Sequence, residues 1–492
     1  MESLGSNIFT VLENIITVYN KFETRDYKTM KVTTKIMPPL DSGFCPASIW
    51  EKHYLDRAKS NKNSREATFR VERPDGKGWN YHTLFLPNEC CYKGLNWKRA
   101  ERNCKFLLWA WGGSRIYIEG VPEIILPLRN EYSAKGKRAF DAEFMGTTCF
   151  LEPMTVTKDL PHSTNDHLDE GASFGRHLEG CRIGFDLGGS DRKSAAVIDG
   201  EVLFSEEIKW NPYFVKDPSY HREGIQDSLR RAASHLPRVD AIGGSAAGIY
   251  VKNEVRAGSL YRGISPEDFD QSIRKLFLEL GEEWGNVPFT VANDGDVTAL
   301  AASIALEKDA ILGIAMGTSQ AAGYIDGQGH ITGYLNELAF APIDYREDAP
   351  MDEWSGDVGC GAQYFSQQAV GRLLPVSGLE AKKNLPLPEK LEYVQEKMNQ
   401  GDDRAADIFC TIGIYYGYSL AHYASFYPFQ NVLTLGRVTS GEGGEIIQRE
   451  AKKVLDVEFP ELSPRISFLV PDEKMKRHGQ AIAAASLPET LA

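Results

Sequence analysis

The run Asp186-Leu187-Gly188-Gly189-Ser190-Asp191 stands where one short apolar stretch ends and another begins. Two adjacent glycines let backbone N–H groups approach a phosphate without side-chain collision. The carboxylate of Asp186 at the strand end suits a hydrated Mg2+ beside that phosphate, and Ser190 offers a hydroxyl. Taken alone, the run reads equally well as a glycine hairpin turn capped by an aspartate. The pattern recurs, however. Met316-Gly317-Thr318-Ser319-Gln320 joins two strand-like stretches, and Val432-Leu433-Thr434-Leu435-Gly436-Arg437-Val438 leads through Ser440-Gly441-Glu442-Gly443-Gly444 into an amphipathic helix whose N-terminus can face an anion or nucleotide. Each turn alone reads as a connection, but three of them on three separate strands outweigh that reading.

Periodicity places these turns in a mixed chain. Strands are predicted at 182–186, 194–198, 202–209, 239–243, 288–292, 310–316 and 321–325, and helices at 220–236, 265–284, 295–307, 357–374, 403–425 and 443–455. Alternation of this kind implies an α/β architecture. Upstream, 7–22 and 95–109 read as helices and 115–118 as a strand, an α+β N-terminal domain. Residues 159–180, polar and without either apolar period, read as a linker or long surface loop. The domains expected are thus 1–158, the linker 159–180, a first lobe at 181–305 and a second at 306–492.

Composition narrows the function classes. The net charge is −13, but residues 1–180 carry 25 Lys and Arg against 23 Asp and Glu, and the remaining 312 carry 30 against 45. So acidic a bulk argues against nonspecific nucleic-acid binding. No apolar run reaches the ~18 residues of a membrane span, and the first residues are acidic where a signal peptide is basic, so a cytoplasmic protein is expected. Eight cysteines without a C-x-x-C spacing read as reduced thiols.

Between the first two glycine turns, Phe289-Thr290-Val291-Ala292-Asn293-Asp294 is an apolar strand ending in an Asn-Asp pair before a helix. Either residue can simply cap that helix. In a phosphotransferase, a carboxylate so placed orients and deprotonates an attacking hydroxyl.

The order and spacing of these elements, over residues 181–492, resemble the ROK (repressor/ORF/kinase) family of sugar kinases within the actin/hexokinase-like ATPase superfamily. DLGGSD and MGTSQAAGYI resemble its two phosphate motifs, VANDGDVTALAA its catalytic Asn-Asp motif, VLTLGRV its adenosine motif, and Gly479–Ala485 its closing glycine-alanine helix. The resemblance implies a two-lobed ribonuclease H-like α/β fold, with ATP and Mg2+ held between lobes that close over a small-molecule sugar. It implies Asp294 as general base, Asn293 and Glu337 as sugar contacts, Gly188, Gly189, Ser190, Gly317, Thr318 and Gly436 along the nucleotide, and Asp186 holding Mg2+ through water. An ordinary surface glutamate is the competing reading of Glu337.

Departures from the family pattern are specific. Its zinc segment falls on residues 353–360, where Cys360 is the one thiol left, and a lone cysteine cannot hold a structural tetrahedral zinc, so no zinc site is expected. A family histidine falls on Phe340 and a sugar-contacting glutamate on Ala362, leaving Gln363 next door as the substitute. Arg437 replaces a glycine of the adenosine motif, where it either crowds the nucleotide or lies along its phosphates. Residues 1–40 match a helix-turn-helix poorly. The N-terminal domain is expected to be an accessory that shapes the substrate mouth or makes an oligomer contact, and a chain starting near Glu179 is expected to fold without it. The enzyme expected is an ATP-dependent carbohydrate kinase, the alternative a sugar-sensing or regulatory protein on the same fold.

Overall fold

The computed structural model describes residues 30, 32–159, 174–382, 384–470 and 479–490. The helix expected at 7–22 and most of the expected linker lie outside the described residues.

The first sheet is built from β1 (Arg65–Glu72), β2 (Gly78–Phe85), β3 (Arg115–Glu119) and β4 (Thr155–Thr157) in the order β2-β1-β3-β4. Helix α1 (Lys93–Trp111) packs against β1. Its second half, from Arg102 to Trp111, is buried at every position. A helix hydrophobic nearly all round must be covered on both sides. Phe106 accordingly stacks on Phe426 with ring centroids 4.0 Å apart, and Trp109 on Phe340 at 4.2 Å.

The second sheet holds β5 (Cys181–Leu187), β6 (Asp191–Ile198), β7 (Glu201–Lys209) and β8 (Ala241–Ala246). A hairpin of β9 (Ile249–Val251) and β10 (Glu254–Ala257) precedes β11 (Phe289–Asn293), giving the order β11-β8-β5-β6-β7. β5 pairs antiparallel with β6 and parallel with β8, and β8 is parallel to β11. Strand β8 begins and ends later than the predicted 239–243, because Gly243 and Gly244 lie inside it rather than ending it. A Cβ at Gly243 would stand 1.7 Å from the Ala484 carbonyl oxygen, so the glycine admits a helix laid directly on the sheet.

Helix α2 (Asp294–Leu306) follows β11. The third sheet contains β12 (Ile311–Met316), β13 (Gln320–Ile325), β14 (Asn431–Leu435) and β15 (Ser467–Leu469), ordered β13-β12-β14-β15. The long buried helix α3 (Asp403–Tyr423) packs between α1's aromatic contacts and the helix Glu442–Glu458. The short closing helix α4 (Gln480–Ala485) lies across β5 and β8.

Two predicted helices are broken. In 265–284, the Val255 N–H takes the carbonyl of Arg274, and a wide turn at Phe269–Ile273 interrupts the ladder before the helix resumes at Leu276–Glu283. In 357–374 only Gln367–Leu373 is a regular α-helix. Gly356 and Gly359 adopt φ of +66° and +77°, and a Cβ at Gly359 would stand 2.1 Å from the Asp344 carbonyl oxygen, so this stretch is a tight loop.

Element packing also shifts the expected lobe boundaries. α2, expected with the first lobe, packs on β12 and β13, while α4, expected with the second, lies on the first lobe's sheet. Phe174, inside the expected linker, pairs with Ile331, and Arg176 binds the Gly329 carbonyl, Ser303 and Asp309.

The cores divide unevenly. Ile183, Phe185, Leu229, Phe277 and Phe289 form a core within the β5–β8 and β11 lobe. Phe69, Leu108 and Ile116 of the N-terminal region share one continuous core with Tyr324, Ile412 and Leu455 of the other lobe. That shared core argues against independent folding of a chain starting near Glu179. A set of buried ion pairs reinforces it: Lys105 lies 3.2 Å from both Asp141 and Asp357, and Arg102 and Arg138 also pair with Asp357 at 3.1 and 2.7 Å.

Candidate active site

Asp186 is the penultimate residue of β5, with its carboxylate buried, accepting a hydrogen bond from the Ser245 hydroxyl at 2.6 Å, with Lys193 Nζ at 4.0 Å. Burial pushes its carboxyl up, and Asp191 adds to this against the pull of Ser245 and Lys193. The turn that follows is closed by Gly188 N–H donating to the Asp191 carbonyl at 2.9 Å, and Ser190 lies exposed at its tip. Tyr213 covers the turn: a Cβ on Gly189 would stand 1.9 Å from its hydroxyl oxygen. A side chain at 189 would therefore have to displace the Tyr213 ring.

The second glycine turn is closed by Gly317 N–H donating to the Ser319 carbonyl at 3.0 Å, with Thr318 exposed. Gly436 sits against it, with φ of +102° and room for a Cβ blocked by Met316 backbone atoms at 2.4–2.7 Å. The second and third turns thus meet through backbone contact that only glycine allows. Arg437 is exposed, and its carbonyl accepts from Gln395.

Asn293 caps α2, its Oδ1 accepting from Gly295 N–H at 2.8 Å while its amide nitrogen donates to the Gly248 carbonyl at 2.8 Å. The capping role read from sequence therefore holds for Asn293. Asp294 opens the helix beside it. Burial, then the charge of Asp186, pushes the Asp294 carboxyl up to about 6, against the pull of two backbone N–H groups. Glu337 is pushed up to about 7 by burial and by Asp294. Glu337 is half-buried rather than fully exposed. Asp296 is pushed up to about 8 by burial, despite accepting from Tyr324 N–H at 3.1 Å and Asn336 Nδ2 at 2.8 Å. Mutual influence links Asp186, Asp294, Asp296 and Glu337 into one carboxylate cluster.

The N-terminal region positions part of this cluster. Consecutive N–H groups of Leu335, Asn336 and Glu337 donate to the carbonyls of Trp111, Ala110 and Trp109 at the end of α1, at 3.2, 2.9 and 2.9 Å. These carbonyls are the ones a helix C-terminus leaves without intrahelical partners. Arg73 holds the Gly333 carbonyl. Asp296, the arginine Arg256 on β10 and Tyr213 were not singled out from sequence. Asp296 carried a signal, an acid two residues beyond Asp294 on the same helix start, whereas Tyr213 reaches Gly189 only through the fold.

The expected substitute Gln363 and two of the departures from the family pattern, Phe340 and Cys360, have other partners. Gln363 is buried and donates to Gln368 at 2.6 Å, with no contact to this cluster. Phe340 stacks on Trp109. Cys360 is buried with its Sγ 3.7 Å from Asp357 Oδ2, beside Lys105 and Arg102. Among the described residues, no group of three His, Cys, Asp or Glu side chains is arranged to hold a metal. A hydrated Mg2+ asks for less, one or two carboxylates plus substrate phosphates, and Asp186 beside the first turn, where the Ser190 hydroxyl donates to Asp191 at 2.8 Å, fits that requirement. No helix among the described residues is long and apolar enough to cross a membrane.

No protein-family model matches the sequence, and no curated protein matches it. Among solved structures, the chain is similar to a ROK family transcriptional regulator, a homolog of the E. coli MLC protein, with a TM-score of 0.51 and 18% identity over 63% of this chain and 79% of that one. A ROK hexokinase from Thermus thermophilus aligns with a TM-score of 0.49 and 18% identity, over 62% and 97% of the two chains. A ROK family glucokinase from Streptomyces griseus, in complex with glucose and AMPPNP, gives 0.46 and 22%, over 63% and 99%. The fold is that of ROK proteins, as the order of motifs predicted.

Proposed function

We propose that the chain is an ATP-dependent carbohydrate kinase that transfers the γ-phosphoryl group of ATP to a sugar hydroxyl, with Asp294 as general base. The observation that carries this reading is the position of Asp294: it opens a helix at a strand end, half-buried beside Asn293, with its carboxyl raised to about 6. A base is most effective when its pKa lies close to working pH.

In this reading Asn293 and Glu337 orient the sugar so that one hydroxyl faces Asp294, which takes its proton as the oxygen attacks. Gly188, Gly189, Ser190, Gly317 and Thr318 hold the phosphates, and Gly436 admits the adenosine. Asp186 holds Mg2+ through water, and the ion when bound offsets charge on the phosphoryl oxygens. The lobe with its own core closes against the remainder, excluding water and limiting ATP hydrolysis. The N-terminal region is an accessory that holds the Glu337 segment and shapes the substrate mouth. Eight free cysteines suit a reducing, cytoplasmic setting.

A second reading is a sugar-sensing regulator. It is favoured by the Tyr213 hydroxyl over Gly189, which crowds the first phosphate turn, and the solved structure with the TM-score of 0.51 is a transcriptional regulator. ATP consumption with Mg2+ against hexoses, amino sugars and polyols, run beside Asp294→Asn, tests the two. Sugar-dependent turnover lost in Asp294→Asn supports the kinase, and sugar binding without turnover supports the sensor.

A further inference from the structure

Asp296 is 5% exposed, yet it forms part of the wall of a cavity of about 270 Å³ that Asn293 also lines. Its two carboxyl oxygens are used differently. Oδ1 accepts twice, from the backbone N–H of Tyr324 at 3.1 Å and from Asn336 Nδ2 at 2.8 Å. Asn336 is held in that orientation, its own Oδ1 accepting from the Tyr427 hydroxyl at 3.1 Å. Oδ2 of Asp296 accepts from none of the described residues and is not fully buried, so it is the oxygen that meets the cavity.

The surroundings decide which form the carboxyl takes. None of the cations in the cavity wall, Arg73, Lys77, Lys252 and Arg256, forms an ion pair with it. Lys252 pairs with Asp75 at 3.2 Å, Arg256 with Glu254 at 3.0 Å, and Arg73 holds the Trp111 and Gly333 carbonyls. Burial pushes the Asp296 carboxyl up to about 8, and Asp294 and Glu337 add to this against the pull of the Tyr324 and Asn336 donors. At neutral pH the group therefore carries a proton. A backbone N–H can only donate, so with Oδ1 accepting twice the proton sits on Oδ2. A carboxylic acid kept neutral in this way is a hydrogen-bond donor.

We propose that Asp296 is a further substrate-binding residue, its Oδ2–H donating a hydrogen bond to an oxygen of the sugar held in this cavity. The inference rests on the cleft being a carbohydrate site and adds a specificity contact to it. Asp294 does not line the cavity, so the part of the sugar held here is remote from the reacting hydroxyl, with Asn293, the preceding residue, between the two. A sugar lacking that oxygen leaves the acid O–H unpaired and is disfavoured.

Calorimetric titration of the full chain with glucose, mannose, N-acetylglucosamine and sorbitol, without ATP, at pH 7 and pH 9 tests this contact. For a sugar that binds, affinity should fall about tenfold between the two, because Asp296 loses its proton across that range. In Asp296→Asn the amide oxygen keeps the Tyr324 and Asn336 bonds, and Nδ2 replaces the Oδ2 donor. Its affinity at pH 7 should stay within about threefold of the parent, and the fall at pH 9 should vanish. Asp294 and Glu337 ionise in both chains and do not produce that difference. Asp296→Leu removes the donor and should weaken binding about tenfold at pH 7, with Asp296→Asn serving alone if it does not fold. Sugar bound with equal affinity at both pH values, or with the same fall in Asp296→Asn, overturns this inference and leaves the carbohydrate site standing. No binding by any of the four removes the carbohydrate site and this contact with it.

Discussion

The backbone N–H of Glu337 donates to the carbonyl of Trp109 at 2.9 Å, so a carboxylate of the candidate site hangs from the last turn of a helix more than two hundred residues earlier in the chain. The N-terminal region is thereby part of the site's scaffold. Removing residues 1–158 strips Phe340 and Phe426 of their stacking partners and frees the Glu337 segment. Each large side chain so exposed forfeits about 1.5–3 kcal/mol. A chain starting near Glu179 should be insoluble or lack a cooperative thermal transition, and expression followed by circular dichroism checks it.

The buried cluster around Asp357 predicts a large single-site effect. Lys105 is fully buried between Asp141 and Asp357, each 3.2 Å away, and this pairing holds its ammonium well above the ordinary range despite burial. Lys105→Ala leaves two buried carboxylates short of a cation and should cost about 3–5 kcal/mol. Urea denaturation measures the loss.

Asp294→Asn removes the proposed base while preserving shape. Turnover should fall by roughly 10²–10⁴-fold with sugar affinity little changed. In the unaltered chain, kcat/KM should drop as pH falls through about 6, because Asp294 then holds a proton. A flat profile from pH 5 to 8, in steady-state assays, would contradict its assignment.

Asp296 has a different pH signature. Its folded pKa, about 8, lies well above the ~3.9 of an unfolded aspartate, so it favours folding at low pH and that contribution is lost as pH rises through 8. Asp296→Asn keeps an oxygen to accept from Tyr324 and Asn336 but does not ionise. The variant should match the parent near pH 4 and exceed it at pH 8 and above, by on the order of a few kcal/mol. Melting temperatures across that range report it.

Tyr213 offers a test of the crowded phosphate turn. Tyr213→Ala clears the space above Gly189 and removes the ring on which Arg262 lies at 4.1 Å. Nucleotide affinity should rise about tenfold if Tyr213 obstructs the turn, about 1.4 kcal/mol. Titration with a non-hydrolysable ATP analogue reads the change.

Much of the site was legible in the sequence because its chemistry is local. Strand ends, glycine turns and the Asn293-Asp294 helix start each occupy a few adjacent residues, and their order along the chain carries the fold. Gly436 shows the limit of that reading. Its place in a turn is a local fact, but the need for glycine comes from the Met316 backbone, which only β12–β14 pairing brings there. The helix predicted over 357–374 failed for a related reason, since Asp357 is held by three cations from the N-terminal region.

The sequence by itself determined the α/β body, the order of its turns and the candidate base, because hydrophobic periodicity and glycine placement act within a few residues. Only the tertiary structure decided that α1 carries Glu337, that Tyr213 covers Gly189 and that Asp296 lines a cavity beside Asn293. Those relations depend on burial and on contacts between distant segments, which exist only once the chain has packed.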